Sequence, residues 1–109
     1  MKVLWRIFTN CNSDAATTKV VSAHFQSARI EASDLTVTPY HKGGFLVTAS
    51  TEHLVETWPC FVVDTLSLAQ KTATGWILTG DINQELDAWS NSPKTPGVSA
   101  IHIQAQLGA

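Results

Sequence analysis

The sequence predicts a single α+β domain over residues 1–109, with an antiparallel sheet and two helices on one face of it. Runs of alternating apolar side chains, typical of strands, occur near both ends of the chain and in its middle. Two other segments have the apolar spacing of amphipathic helices. With 44% hydrophobic and 15% charged residues, the chain is long enough for one buried core and too short for two domains.

The first strand and the first helix follow from residue spacing. The segment 2–9, KVLWRIFT, alternates between an apolar side and a mixed side, as a strand does. Ser13 is a candidate N-cap, and Asp14 is favourably placed in the first turn of the helix that follows. One face of this helix is predicted to hold Ala16, Val20, Val21, His24, Phe25 and Ala28.

A β-hairpin is predicted next. LTVTPY (35–40) and FLVTAST (45–51) are rich in β-branched residues, and HKGG (41–44) connects them with two glycines. Pro39 has no N–H for a ladder hydrogen bond, so it should lie at a strand end or on a sheet edge.

The second helix is predicted within 51–73, a stretch of helical composition interrupted by Pro59. Because proline costs about 3 kcal/mol inside a helix, we place Pro59 in the first turn, after a short turn or helix over 52–57. Gly75 then ends the element. The buried face of the helix is predicted to consist of Val62, Leu66, Ala69 and Ala73.

Three segments complete the chain. TGWILTGDI (74–82) is predicted to be a strand bounded by glycines. The polar segment 83–97 is predicted to hold one helical turn, with Leu86 and Trp89 on the same side, followed by a loop. VSAIHIQAQL (98–107) is predicted to be a strand with a dry face and a wet face. The wet face carries His102, Gln104 and Gln106.

This order, β-α-β-β-α-β with an additional C-terminal strand, is typical of a ferredoxin-like split βαβ fold. In that fold two helices cover one face of an antiparallel sheet. Because such domains have many unrelated functions, the fold alone does not indicate what the protein does.

The charge, the hydrophobic runs and the cysteine spacing argue against several classes of protein. The net charge of −2 argues against a nucleic-acid-binding protein. The apolar N-terminus is interrupted by Arg6, which is unlike a signal peptide, and no run reaches the roughly eighteen apolar residues of a membrane span. These features predict a cytoplasmic protein. Cys11 and Cys60 form no CxxC motif, so two separately buried thiols are favoured over a disulfide.

No residue pattern identifies a reaction. The sequence has no nucleophile elbow and no phosphate-binding glycine loop. His53 and Glu56 are three positions apart, but two ligands do not make a metal site, and a solvated polar face is favoured. His24 is expected to be hydrogen-bonded and partly buried, and His41 to face solvent. We therefore predict no catalytic residue, no metal and no cofactor, and a protein that is not an enzyme.

Charge is distributed unevenly along the chain. Residues 1–51 hold five basic and three acidic side chains, whereas 52–87 hold six acidic side chains and one basic. An acidic patch of this kind attracts basic partners. Trp89 follows three of the acids and is either a binding hot spot or a cap on one end of the core. The predicted partner-binding residues are Glu52, Glu56, Asp64, Asp81, Glu85, Asp87 and Trp89.

With this architecture, the chain resembles the small cytoplasmic immunity proteins of contact-dependent growth inhibition and other polymorphic toxin systems. KVLWRIFT, TGWILTGDI with the acids after it, and AIHIQAQL carry the resemblance. It implies tight one-to-one binding to a cognate toxin domain, often a basic nuclease, whose active site is blocked. It implies neither nucleic acid nor membrane as a partner. The chain departs from this pattern in its mild net charge.

Two other classes of function are compatible with the fold. One is a dimeric small-molecule enzyme, in which His102 acts with His24 or Tyr40 as acid and base. The other is a ligand-sensing regulatory domain. The enzyme is expected to be a stable homodimer with a closed cavity at the sheet, and the ligand sensor is expected to be an oligomer.

Overall fold

Up to the end of the second helix, most strands and helices form where the spacing of apolar side chains favours them. The structure, a computed structural model, describes residues 1–108. Its elements are β1 (Lys2–Thr9), α1 (Asp14–Ser27), β2 (Ser33–Pro39), β3 (Phe45–Glu52), α2 (Trp58–Thr72), β4 (Ala73–Thr74), β5 (Ile77–Thr79), β6 (Glu85–Ser90), β7 (Ser92–Pro93) and β8 (Val98–Gln106). No helix among these residues is both long and apolar enough to cross a membrane.

Six strands form an antiparallel sheet in the order β2-β3-β1-β8-β6-β5, and β4 pairs with β7 separately. The predicted α+β class, with two helices and an antiparallel sheet, is confirmed. The number and order of the strands differ from the predicted ferredoxin-like arrangement. The difference arises after α2, where the chain forms the hairpin β5–β6 at the far edge before β8 pairs with β1.

Both helices begin at side-chain caps. Ser13 Oγ accepts a hydrogen bond from the backbone N–H of Ala16, as predicted for an N-cap. Thr57 caps α2 in the same way, and Pro59 lies in the first turn as predicted. Residues 53–56, which precede this cap, form no helix, so the helical alternative of the short turn or helix predicted over 52–57 is wrong.

The buried face of α2 is rotated from the predicted one. Its buried residues are Phe61, Thr65, Ala69 and Thr72, whereas Val62 and Leu66 are only half-buried. Phe61 accounts for the rotation, because this large ring packs against the rings of Trp58 and His53 and is 1% exposed.

The core lies between one face of the sheet and the two helices. Trp5 at the centre of β1 is fully buried and meets Phe25 of α1 edge to face, with ring centroids 5.6 Å apart. The predicted dry and wet faces of the last strand are confirmed, since Ile101 and Ile103 are buried and His102 is partly exposed. The other large apolar side chains that are fully buried are Val3, Ile7, Val21, Val47, Phe61 and Leu86.

The segment after α2 differs most from prediction. The predicted strand 74–82 is interrupted at Gly75, where φ is +65°, and only the short β4 and β5 form. The predicted helical turn is instead the strand β6, which pairs with β8. Residues three apart share a side in a helix but lie on opposite sides of a strand. Leu86 is therefore in the core, and Trp89 is on the other face.

Candidate functional site

One face of the sheet is not covered by the helices, because both pack on the opposite face. We call this surface the open face. Alternation along the strands places its side chains, which are half-buried by one another. Its central residues are Leu4, Arg6, Phe8, Leu46, Asp87, Trp89, His102 and Gln104.

A hydrogen-bonded network lies at the centre of the open face. Arg6 Nη1 donates to His102 Nδ1 and to Gln104 Oε1, both over 3.1 Å. His102 Nε2 lies 2.8 Å from Asp87 Oδ1. Because the guanidinium can only donate, His102 accepts at Nδ1 and donates from Nε2 to the carboxylate. The network joins β1, β8 and β6 and holds these polar groups in fixed positions.

An aromatic cluster adjoins this network. Phe8 lies between Tyr40 and Trp89, with ring centroids 5.1 Å and 5.3 Å away. Trp89 also contacts His102, at 5.7 Å, and its indole N–H donates to Asn91 Oδ1 over 2.8 Å. The ring lies on the side of the sheet away from the core, so the alternative in which Trp89 caps the core is wrong.

Three of the predicted acidic residues lie together near this cluster. Glu85 and Asp87 extend from the same side of β6 as Trp89. Asp81 lies in the turn before β6, and its carbonyl accepts the N–H of Glu85 over 2.9 Å. Asp81 and Glu85 line an open cavity of about 530 Å³. The structure thus places Asp81, Glu85, Asp87 and Trp89 along one strand and the turn before it.

Glu52 and Glu56 lie apart from this group. Glu52 ends β3 and accepts a hydrogen bond from the amino group of Met1 over 3.0 Å. Strands β1 and β8 separate Glu52 from Glu85, a distance of about 14 Å at the usual strand spacing. Glu56 is exposed in the connection before α2.

Asp64 has an internal partner. Its carboxylate lies 2.7 Å from Nδ1 of His53, which is 3% exposed. His53 Nε2 lies 2.9 Å from the Thr51 hydroxyl, and Thr51 accepts from the Trp5 indole N–H over 2.9 Å. The order hydroxyl, imidazole, carboxylate is that of a catalytic triad. Thr51, however, is 2% exposed, so a substrate has no access to its hydroxyl.

His53 was predicted to lie on a solvated polar face with Glu56, and this prediction is wrong. The sequence signal that could have placed His53 in the core is the alternation of inward-facing and outward-facing side chains along β3. Val47, Ala49 and Thr51 point into the core, and His53 continues the same period of two beyond the strand end.

His24 is buried on the helix side of the sheet. Nδ1 lies 3.0 Å from Thr95 Oγ1, and burial lowers the pKa of the imidazole to about 4. The predicted hydrogen bond is confirmed, although the ring is fully rather than partly buried. Because His24 and His102 lie on opposite sides of the sheet, they cannot act as an acid–base pair. His41 is exposed in the hairpin turn, as predicted.

Both cysteines are free thiols, but they are not buried as predicted. Cys11 is half-buried and Cys60 is exposed in the first turn of α2. Among residues 1–108, no group of three or more His, Cys, Asp or Glu side chains is placed to hold a metal ion.

No protein-family model matches the chain, and no curated protein or solved structure is significantly similar to it. The open face and the acids beside it are therefore the observations from which a function can be proposed. Of the seven residues predicted to bind a partner, Asp81, Glu85, Asp87 and Trp89 lie together there.

Proposed function

We propose that the protein binds a cognate toxin domain one-to-one through the open face and blocks the active site of that domain. The observation that carries this proposal is the cluster of Phe8, Trp89 and His102 on a sheet face that neither helix covers. Partly exposed aromatic side chains bordered by charged ones are typical of binding hot spots. The function is the one implied by the resemblance to immunity proteins.

The network beneath the cluster supports a binding role. Arg6, Asp87 and His102 hold one another by hydrogen bonds before any partner arrives. Binding to such a surface requires little further ordering of side chains, so less of the interaction energy is lost to entropy. Trp89 is then the anchor that a partner buries at the centre of the contact.

The acids determine the charge of the proposed partner. Asp81, Glu85 and Asp87 lie at the side of the open face formed by β6, where they would attract a basic toxin domain such as a nuclease. Asp64 is bonded to His53, so we assign it a structural role. Glu52 and Glu56 would take part only in an interface that extends to the end of β3.

We also propose that a ferredoxin-like split βαβ core underlies the sheet. β1 lies between β3 and β8 and is antiparallel to both, so β3 and β8 are parallel to each other. The hairpin β5–β6 would then be an addition at the outer edge of β8. This addition carries the proposed contact residues.

The test is co-expression with the candidate toxin domain encoded immediately upstream, scored by growth, followed by measurement of the affinity of the purified pair. We expect Trp89→Ala to weaken binding at least thirty-fold, the effect of losing about 2 kcal/mol at a hot spot. The triple variant Asp81→Asn, Glu85→Gln, Asp87→Asn should slow association and lower its salt dependence.

The matched control is Asp14→Asn, Glu31→Gln, Asp34→Asn, which removes the same charge from α1 and from the β2 end of the sheet, where three strands separate it from β6. It should bind and protect as the unmodified protein does. Circular dichroism verifies that each variant is folded. Unchanged neutralisation by the acidic triple variant and by Trp89→Ala would overturn the proposed site, and failure of the unmodified protein to protect or bind would overturn the function with that toxin.

A small-molecule enzyme or ligand sensor is the second candidate. The observation in its favour is that Tyr40 joins the same aromatic cluster as His102, through Phe8 and Trp89. Two copies that packed open face to open face would enclose these groups. This candidate predicts no protection from the toxin, together with a homodimer that Trp89→Ala dissociates.

A further inference from the structure

The two edges of the sheet differ in their protection against pairing with another strand. The edge strand β2 ends in Pro39, has an irregular register between Ser33 and Thr36, and holds Asp34 at φ +56°. Prolines and bulges of this kind prevent a further strand from adding to an edge. The opposite edge, β5, is the neutral run Ile77–Thr79, with neither a proline nor a charge.

The β5 edge also exposes apolar side chains on both faces of the sheet. Ile77 is 58% exposed on the side of the open face, where it lies opposite Trp89. Leu78 is 46% exposed on the helix side, beside a cavity of about 330 Å³ that Leu66 and Trp76 also line. An unpaired, apolar edge of this kind is a template for a further strand.

The charges along this edge indicate which strand fits. Near the start of β4 are two lysines. Lys71 lies in the last turn of α2, and the Lys94 N–H donates to the carbonyl of Thr72 over 2.9 Å. Beyond the end of β5 are Asp81 and Glu85. β4 and β5 keep the same register against β7 and β6 on either side of the interruption at Gly75. This side of the hairpin therefore runs from a basic end to an acidic end.

We propose that the β5 edge is a homodimer interface, in which a second copy of the chain pairs antiparallel about a two-fold axis near Leu78. Antiparallel pairing brings the basic end of each copy to the acidic end of the other, so opposite charges attract at both ends of the interface. Parallel pairing would place Asp81 of one copy opposite Asp81 of the other, where the like charges repel. The two Leu78 side chains meet on the helix side, and each Ile77 meets Thr79 of the other copy on the open side.

This inference does not rest on the toxin-binding proposal, although Asp81 and Glu85 take part in both. Joining two copies edge to edge extends the sheet and leaves both open faces uncovered on the same side. The dimer would therefore present two copies of the cluster that contains Trp89.

Sedimentation equilibrium over a wide concentration range tests the proposal, with Thr79→Lys as the edge variant and Thr38→Lys as its matched control on β2. Both threonines are exposed edge residues, and both lie on the open side of the sheet. A lysine on an edge opposes strand addition. We expect a dimer whose dissociation constant rises at least ten-fold in Thr79→Lys and is unchanged in Thr38→Lys.

Cross-linking supplies a second readout that does not depend on the lysine variant being folded. In a Cys60→Ser background, Leu78→Cys should form an intermolecular disulfide under mild oxidation, because the two-fold axis places the two side chains together. A protein that is monomeric at all concentrations would overturn the proposal. A dimer that is unaffected by Thr79→Lys and whose Leu78→Cys variant forms no intermolecular disulfide would also overturn it. So would a dimer that Trp89→Ala dissociates.

Discussion

Asp64 accepts a hydrogen bond of 2.7 Å from the buried imidazole of His53, and this contact ties the end of β3 to α2. Through Thr51 the same imidazole is linked to the indole of Trp5 at the centre of the core. An acidic residue that the sequence assigns to a binding surface is therefore part of the scaffold that supports the sheet.

Replacing Asp64 with alanine should lower the free energy of unfolding by about 2 kcal/mol, because it leaves the buried N–H of His53 without an acceptor. Urea denaturation measures the loss. The control is Glu56→Ala, which removes an exposed carboxylate close by and should change stability by less than about 0.5 kcal/mol. Equal stabilities for the two variants would contradict the structural role of Asp64.

Stability should fall at acid pH through His24. Burial lowers the pKa of this imidazole from 6.5 to about 4, so below pH 6.5 the unfolded chain binds a proton that the folded protein does not. The stability that neutral His24 contributes is fully present above pH 6.5 and decreases as the pH falls. At pH 4 the free energy of unfolding should be about 3 kcal/mol lower for this reason.

The variant His24→Asn isolates this effect. Asparagine can still bond to Thr95 from the position of Nδ1, but it does not titrate in this range. We expect the variant to be less stable at pH 7, since it leaves a cavity, yet to lose less stability between pH 7 and pH 4. Parallel curves of unfolding free energy against pH for the two proteins would disprove the assignment.

Two adjacent glycines in the β2–β3 turn should respond differently to alanine. At Gly43 (φ +105°) an added methyl group would meet only open space, so Gly43→Ala incurs only backbone strain of about 1–2 kcal/mol. At Gly44 (φ +71°) the methyl group would also overlap the carbonyl of Thr9 in β1. Gly44→Ala should therefore lower the thermal midpoint clearly more than Gly43→Ala, and the reverse order would contradict the turn geometry.

The two thiols should differ in reactivity. Cys60 is exposed and Cys11 is half-buried, and neither is in a disulfide. A thiol reagent should modify both cysteines of the native protein, with Cys60 reacting about ten-fold faster because of its exposure. Cys60→Ser should lose the fast phase and Cys11→Ser should keep it. A fast phase that survives in Cys60→Ser would contradict the exposure of this residue.

Local patterns in the sequence determined the class of the fold and several elements. The cap Ser13, the first-turn proline Pro59 and the alternation in 98–107 act on the nearest turns or on one strand. Their effect on the backbone does not depend on which distant segment packs against them. For this reason α1, the β2–β3 hairpin, the start of α2 and the two faces of β8 could be predicted.

The tertiary structure alone decided the strand order and the composition of the open face. Residues 85–90 are compatible with a helical turn or a strand, and pairing with β8 makes them a strand. That pairing moves Trp89 to the open face and brings Asp87 to His102, fifteen positions away along the chain. It depends on hydrogen bonds between segments distant in sequence, which residue spacing within either segment does not encode.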